Sequence, residues 1–496
     1  MESRSLILHN SLSGEKEVFN PLIPGHIGMY VCGPTVYYDA HLGNCRTFVS
    51  FDIIFRYLKQ LGYKVRYVRN ITDVGHLLDD GEDRMLKGAR LEQLQPMEVA
   101  QKYTNGFHEM MRIFNVLPPS IEPRATGHII EQIEMVEAIL NRGFAYEKNG
   151  SVYFDTLKFI EEKNPYGKLS GRIVDDLLAE SRDDLKNQGE KKHPSDFALW
   201  IKASDEHIMR WNSPWSVGFP GWHLECSAMS TKYLGEHFDI HGGGNDLKFP
   251  HHENEIAQNV GSCGCTPCNY WLHTNMLLLN GRKMSKSEGN TISPEELFSG
   301  NSPHITRAYT PMVVRFFFLQ AHYRSTLDIT DDALQGADKA YKRLMESMRI
   351  LNAQMTGFHP KEGAKDIEVK AAIEQCYTDM NDDFNVPKSL ASIFELAGLM
   401  NSIKDGHISK DMISENTWAE IKAHMTHFVF DIYGLKDENQ SNNSQTLDQL
   451  MQLIIELRKD TRLRKDFAMS DKIRDSLKES GIQLKDGKDG TEWMYI

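Results

Sequence analysis

Residues 28–71 read GMYVCGPTVYYDAHLGNCRTFVSFDIIFRYLKQLGYKVRYVRNI. The opening run, 28–32 (GMYVC), is short and apolar, and Gly33-Pro34 ends it. Residues 48–62 (FVSFDIIFRYLKQLG) then carry apolar side chains at helical spacing, and 63–71 (YKVRYVRNI) return to a β-like run. Strand, helical crossover and strand make a βαβ unit, which requires a parallel sheet. The expected fold is therefore α/β, with a doubly wound sheet at its centre. Residues 233–240 (YLGEHFDI) are expected to add a strand running into His241 and the glycines 242–244. Pro250 then opens a helix, HHENEIAQNV, so that a Gly loop would expose backbone to a ligand at a strand end.

Working outward, the 496 residues divide by their turn signals and polarity. GSVYFD, PYGKLSG and RWNSPWSVGFPG punctuate residues 118–221, which read as an insertion between two catalytic halves, 1–117 and 222–328. Within it, 175–194 is polar enough for a mobile surface loop. Long helical patterns such as AYKRLMESMRILNAQM and VPKSLASIFELAGLMNSI make 329–436 an α-helical bundle. Residues 437–446 (DENQSNNSQT), with no apolar side chain, read as a linker to a C-terminal module, 447–496.

Forty per cent hydrophobic and 25% charged residues exclude a collagenous or wholly disordered chain. Seven cysteines, sparse and odd in number, point to reduced thiols or metal ligands rather than a disulfide framework. No run is long enough for a membrane span or a signal peptide, so the expected location is the cytoplasm. The net charge of −13 repels nucleic acid overall, so any such binding must be local. Residues 458–478 provide a local excess, with eight cations against four carboxylates. Phe467 within that stretch and Trp493 beyond it are candidate base-stacking rings, against the alternative that Phe467 packs into a core.

His251 and Glu255 stand four apart, hence on one helical face, where they can converge on an ion or simply form a polar helix start. Cys32 follows the first strand and Cys226 lies in GWHLEC, so a folded parallel sheet can bring two thiols, an imidazole and a carboxylate to one crevice. Such mixed ligation suits zinc better than magnesium or calcium. Cys263, Cys265 and Cys268 form a C-x-C-x-x-C loop that is either a second metal site or a Cys-rich turn. His41-Leu42-Gly43-Asn44 opens the first helix, where backbone N–H groups and the dipole favour phosphate, although a His there can equally be a cap. GRKMSKSEGN (281–290) packs Arg282, Lys283 and Lys286 into a Gly-flanked loop suited to a triphosphate.

The blocks CGPTVYYDAHLGNCR (32–46), NITDVGH (70–76), PRATGHI (123–129), SDFALW (195–200), PGWHLECSAMS (220–230), DIHGGGNDLKFPHHENEIAQ (239–258) and GRKMSKSEGN, in this order, resemble the cysteinyl-tRNA synthetases, a family of class I aminoacyl-tRNA synthetases. The resemblance implies a Rossmann-type catalytic domain, an inserted domain contacting the acceptor end, a helical bundle bracing the tRNA and a C-terminal anticodon-binding module. It implies one zinc ion on Cys32, Cys226, His251 and Glu255 that takes the substrate thiolate, and Mg2+ with ATP. It places Gly33, Thr72, Trp222 and Asp246 around L-cysteine. His41, Gly43, Gly242, Gly243, Gly244 and Lys286 fall at ATP, and His41, Asn44, Lys283 and Lys286 in catalysis. Arg462, Phe467, Asp471, Asp486 and Trp493 match anticodon readers. Asn44 stands where the first signature often has His, and Phe467 where a Trp is often found. The expected partners are ATP, L-cysteine and cysteine tRNA, with no membrane, for a monomer. Two rival readings are a ligase that joins activated cysteine to a small amine, against which the C-terminal module argues, and a non-catalytic RNA-binding protein with structural zinc, against which the KMSKS loop argues.

Overall fold

The computed structural model describes residues 5–74, 94–172, 190–205, 207–284, 289–353, 361–464, 466–480, 482–487 and 490–495. The chain forms two units, Met1–Leu435 and Lys436–Ile496.

At the centre of the first unit is a four-stranded parallel sheet in the order Cys268–Thr274, Phe238–Gly244, His26–Val31, Lys64–Arg69. The two inner strands pair with Ile240 opposite Met29 and Gly242 opposite Val31. Helix Leu42–Gln60 crosses between the last two strands in the list and buries Phe48, Phe51, Ile54, Phe55 and Leu58. Gly242 faces this helix: a Cβ there would fall 2.2 Å from the Phe51 ring. Gly28, three residues from Val31 and so on the opposite face by strand alternation, faces Leu234 of helix Leu224–Leu234. Helices therefore cover both faces, which explains why strand Phe238–Gly244 is buried for six of its seven residues. Strand order reverses between His26–Val31 and Phe238–Gly244, and the crevice beyond their carboxyl ends is the place where such sheets bind ligands.

Two local expectations are corrected. The strand expected over 233–240 spans Phe238–Gly244, because Tyr233 and Leu234 complete the preceding helix and Gly235, at φ +94°, caps it. The glycines 242–244 thus lie inside the strand and not in a loop after it. The expected linker is helical and not extended coil: helix Glu438–Leu463 runs through 438–446.

Residues 118–221 hold a five-stranded antiparallel sheet, ordered Ala145–Lys148, Ser151–Phe154, Phe197–Lys202, Val217–Pro220, Trp211–Asn212. Of the expected surface loop, 175–189 lie outside the described residues. Helices Asp331–Ala353, Asp366–Asn381, Val386–Lys404 and Glu415–Thr426 form the bundle, whose core is continuous with that of the sheet. Where they join, Asp52 of the crossover helix accepts from Arg315 Nη2 (2.5 Å), Arg56 Nε (2.8 Å) and Leu117 N (2.8 Å), and Arg315 also donates to the carbonyls of Tyr433 and Phe114. The second unit comprises helices Glu438–Leu463 and Phe467–Glu479 and the hairpin Ile482–Gly487/Gly490–Tyr495. Among the described residues, no helix is long and apolar enough to cross a membrane.

Candidate functional site

Cys32 is the first residue beyond strand His26–Val31, and its N–H donates to the carbonyl of Gly242 (3.0 Å), fixing it at the crevice. Cys226 comes from the first turns of helix Leu224–Leu234, and Glu255 from the start of helix Glu253–Cys263. His251 sits in the π-helical turn Lys248–His252 just before that helix. The side chains of Cys32, Cys226, His251 and Glu255 are buried, and their ligand atoms all lie within 4.8 Å of one another. The two sulfurs are 3.7 Å apart, close to the ~3.8 Å expected for two thiolates sharing one tetrahedral zinc at Zn–S distances of ~2.3 Å. Cys32 Sγ is 3.6 Å from Glu255 Oε1, and His251 Nε2 is 3.1 Å from the same oxygen. This donor set fits a thiophilic divalent cation.

The electrostatics favour such an ion. Burial opposes charge on Cys226, but the hydrogen bond with Cys32 and then the neighbouring His251 bring its thiol down to about 6. Burial and Cys226 push Cys32 well up. Glu255 is held down to about 2, against its burial, by His241 and His251. His251 is itself raised to about 10, against burial, by Cys226 and Glu255.

A ring of histidines that the sequence argument did not single out surrounds these four. His241 Nε2 is 2.7 Å from Glu255 Oε2, leaving Oε1 turned toward the sulfurs. His223 Nδ1 is 2.9 Å from His251 Nδ1, which aims Nε2 at Cys226 and Glu255 in the manner of an outer-shell partner. His252 Nε2 approaches Cys32 Sγ at 3.3 Å, while its Nδ1 meets His273 Nε2 at 2.8 Å. Burial, then crowding by His241 and other histidines, keeps His252 neutral, with its pKa well below 6.5. Cys32, His241, His252 and Glu255 consequently form a second, overlapping donor group. The HGGG, PHHENE and GWHLEC blocks contain His241, His252 and His223, but their contacts are made only when the elements carrying them pack together.

Around the cluster, Gly33 N donates to Asn70 Oδ1 (2.8 Å), and a Cβ on Gly33 would lie 1.6 Å from the Asn70 carbonyl oxygen, so no other residue fits. Thr72 is buried, accepts from Asn70 Nδ2 (3.1 Å) and donates to Glu225. Glu225, also missed from sequence, is buried beside Cys226, and its Oε2 has no partner among the described residues. Trp222 is half-buried with its ring 4.6 Å from that of His251. Asp246 is exposed on the turn Asn245–Leu247 that follows strand Phe238–Gly244. A Cβ on Gly243 would press on the buried His252 ring, so this glycine, like Gly242, is required by contacts within the protein, whereas one on Gly244 would meet only the movable carboxylate of Asp246.

His41 caps helix Leu42–Gln60. Its Nδ1 accepts from the backbone N–H of Asn44 (3.2 Å), and Asn44 Oδ1 accepts from the backbone N–H of His41 (3.3 Å), a reciprocal capping box. An acceptor Nδ1 places the ring proton on Nε2. Gly43 is the second residue of this helix, and a Cβ on it would touch the His41 ring at 2.9 Å. Lys283 is exposed on the short strand Arg282–Lys283, which pairs with Leu277–Leu279, and its carbonyl accepts from Asn290 Nδ2 (3.1 Å) across the base of the loop. Lys286 lies outside the described residues.

In the second unit, Arg462 and Asp471 are exposed, and Asp471 pairs with Arg474 at 3.1 Å. Phe467 is 62% exposed at the start of its helix, which corrects the alternative that it packs into a core. Trp493 is half-buried and registers with Leu484 across the hairpin. Asp486 belongs to that hairpin, but its side chain lies outside those described.

Residues 18–339 match the family described as tRNA synthetases class I (C) catalytic domain, and 375–427 match the DALR domain. The chain is 54% identical to a cysteine–tRNA ligase of Phocaeicola vulgatus over 99% of both chains. It is 47% identical to a cysteine–tRNA ligase of Chlorobium chlorochromatii, again over 99% of each. Among solved structures it resembles Mycobacterium tuberculosis methionyl-tRNA synthetase in complex with methionyl-adenylate (TM-score 0.56, 14% identity, 82% of this chain and 89% of that one). A leucyl enzyme–tRNA complex from Agrobacterium radiobacter is also similar (TM-score 0.54, 12% identity, 84% and 86%). At these identities the structural likeness concerns the fold alone.

Proposed function

Because the chain belongs to the cysteine–tRNA ligase family of class I synthetases, we propose that it activates L-cysteine with Mg2+-ATP and transfers the cysteinyl group to the 3′ end of cysteine tRNA, selecting its amino acid by the thiol. The observation that carries this reading is the buried Cys32, Cys226, His251 and Glu255 set at the carboxyl ends of the sheet, in the crevice that the His41-capped helix also enters. Bound by these four residues, zinc would supply a soft Lewis acid for the thiolate of cysteine, a ligand that the harder, less acidic hydroxyl of serine cannot replace. A pocket of apolar contacts could not reach that discrimination without an editing step.

The chain's own groups do the rest. His241 and His223 orient Glu255 and His251, so the donor set is organised before substrate arrives. Thr72, fixed by Glu225 and Asn70, and Trp222 flank the bound cysteine, with Gly33 in its backbone wall and Asp246 near the amino group. The cysteine carboxylate attacks the α-phosphorus of ATP in line and pyrophosphate departs, leaving cysteinyl-adenylate. His41 donates through Nε2, and Lys283 and Lys286 bring positive charge, to oxygens whose charge grows in the transition state. Asn44 serves by holding the His41 backbone and Gly43 by keeping the helix start open. Gly242, Gly243 and Gly244 let the nucleotide lie against the strand end.

By the same reading, residues 118–221 contact the acceptor end, 329–436 brace the tRNA, and 447–496 read the anticodon through Arg462, Phe467, Asp471, Asp486 and Trp493. The enzyme works as a cytoplasmic monomer. The test is cysteine-dependent ATP–pyrophosphate exchange with serine as control, followed by charging of total tRNA. Exchange with cysteine alone, then charging, is expected. Exchange without charging would replace tRNA by a small amine as acceptor, and no exchange in a protein with one bound zinc would overturn the enzymatic reading.

A further inference from the structure

Cys263 ends helix Glu253–Cys263, Gly264 turns the chain at φ +87°, and Cys265 folds back so that the two sulfurs lie 2.8 Å apart. Cys268 takes no part: it is buried at the head of its strand, with its sulfur directed to the Tyr270 carbonyl at 3.6 Å. The three-thiol loop of the sequence is therefore a pair plus a core residue. Glu236 offers a carboxylate within 4.8 Å of both paired sulfurs, which makes the group a formal candidate for a metal. The sulfur separation argues against that use, since two thiolates on one tetrahedral zinc stand ~3.8 Å apart. Both thiols are half-buried rather than enclosed, whereas Cys32 and Cys226 are buried.

We propose that Cys263 and Cys265 are a modification site, a vicinal dithiol that closes to a disulfide on exchange with a low-molecular-weight disulfide while the buried thiols of the crevice stay reduced. The pair is already closer than sulfur van der Waals contact, with one residue between the two cysteines and both partly exposed. Arg142 lies against Gly264, 3.1 Å from where a Cβ would stand. Burial, then the bond to Cys263, pushes Cys265 up to about 12, so Cys265 keeps its proton and the first attack falls to Cys263. With glutathione disulfide, the Cys263 thiolate displaces one glutathione thiolate and forms a mixed disulfide. Cys265 then loses its proton to solvent, attacks the Cys263 sulfur and displaces the second glutathione. Two protein thiols are oxidised, and one small disulfide is reduced to two thiols. Closing so small a ring strains the bond, so the reaction reverses readily with dithiothreitol.

The proposal does not depend on the synthetase reading. The test treats the full-length, zinc-loaded protein with glutathione disulfide, blocks remaining thiols with iodoacetamide and maps the peptides by mass spectrometry. The expected result is a Cys263–Cys265 disulfide with no retained glutathione, unmodified Cys268 and unchanged zinc content. Free Cys263 and Cys265 after treatment, or oxidation at Cys32 or Cys226 ahead of them, would overturn it. In Cys265→Ser the mixed disulfide should be trapped on Cys263, at full occupancy and stable to dilution; a variant that takes up no glutathione would overturn the assigned order of attack.

Discussion

His41 has one role in this structure and a second in the proposed reaction, and one substitution can separate them. As an N-cap it satisfies the Asn44 N–H through Nδ1; as the donor proposed for adenylate formation it would present the proton on Nε2. Asparagine is among the best N-caps and keeps an acceptor at the position of Nδ1, but its side chain is too short to replace Nε2. The cap is made of bonds of 3.2 and 3.3 Å at an exposed helix end, so His41→Ala should cost about 1 kcal/mol of stability, a few degrees at most in Tm. His41→Asn should cost a few tenths. The barrier to adenylate formation behaves differently. Losing one pre-positioned donor to a developing oxyanion costs ~3–4 kcal/mol, or 10²–10³ in rate. Both variants should therefore lose ATP–pyrophosphate exchange alike, while only His41→Ala shows a lowered urea midpoint. Wild-type exchange by His41→Asn would refute the reasoning and reduce His41 to a cap. Equal destabilisation by both variants would refute the capping half.

Three further outcomes are expected. Cys226→Ser should bring bound zinc, measured by mass spectrometry of the metal, well below one equivalent and abolish the preference for cysteine over serine in exchange; retention of full zinc with selectivity would remove Cys226 from the set. Asp52→Ala strands the buried Arg315 guanidinium, whose side chain has no exposed surface, and should cost ~3–5 kcal/mol in urea unfolding, much of it recovered in Asp52→Ala/Arg315→Met. His424, packed between Tyr377 and Phe428, has its pKa lowered by burial from 6.5 to about 4. Its depressed folded pKa contributes stability that is fully present above pH 6.5 and lost as pH falls through 4, about 3 kcal/mol in all, so His424→Gln should show a shallower acid limb than the parent between those values.

The βαβ unit was legible because residues 28–71 change period cleanly, from a short apolar run to helical spacing and back, and each change is a local property of the chain. Cys32, Cys226, His251 and Glu255 were legible through chemistry: two soft donors at strand-end or helix-start positions, and an i, i+4 pair. The histidines that orient them were not, since His241, His223 and His252 meet Glu255, His251 and His273 only once helix 253–263, the turn before it and strand 268–274 have packed together. Gly242 carries a demand that its place in a Gly run did not show, close contact with the Phe51 ring. Phe467, a candidate stacking ring that could equally have packed into a core, stands exposed.

The interleaving of the central sheet sets a clock on the site's assembly. Cys32 meets Cys226 across 194 residues and Glu255 across 223. At ribosomal rates of ~5–20 residues per second, those partners leave the ribosome on the order of 10–45 s after Cys32 itself. The inner strand Phe238–Gly244 is also late, so the first two strands wait with an open edge for the same interval. No ion can be held by all four residues before the second half of the catalytic domain has been made, and a nascent chain stalled inside the insertion carries one thiol of the set with nothing to share it.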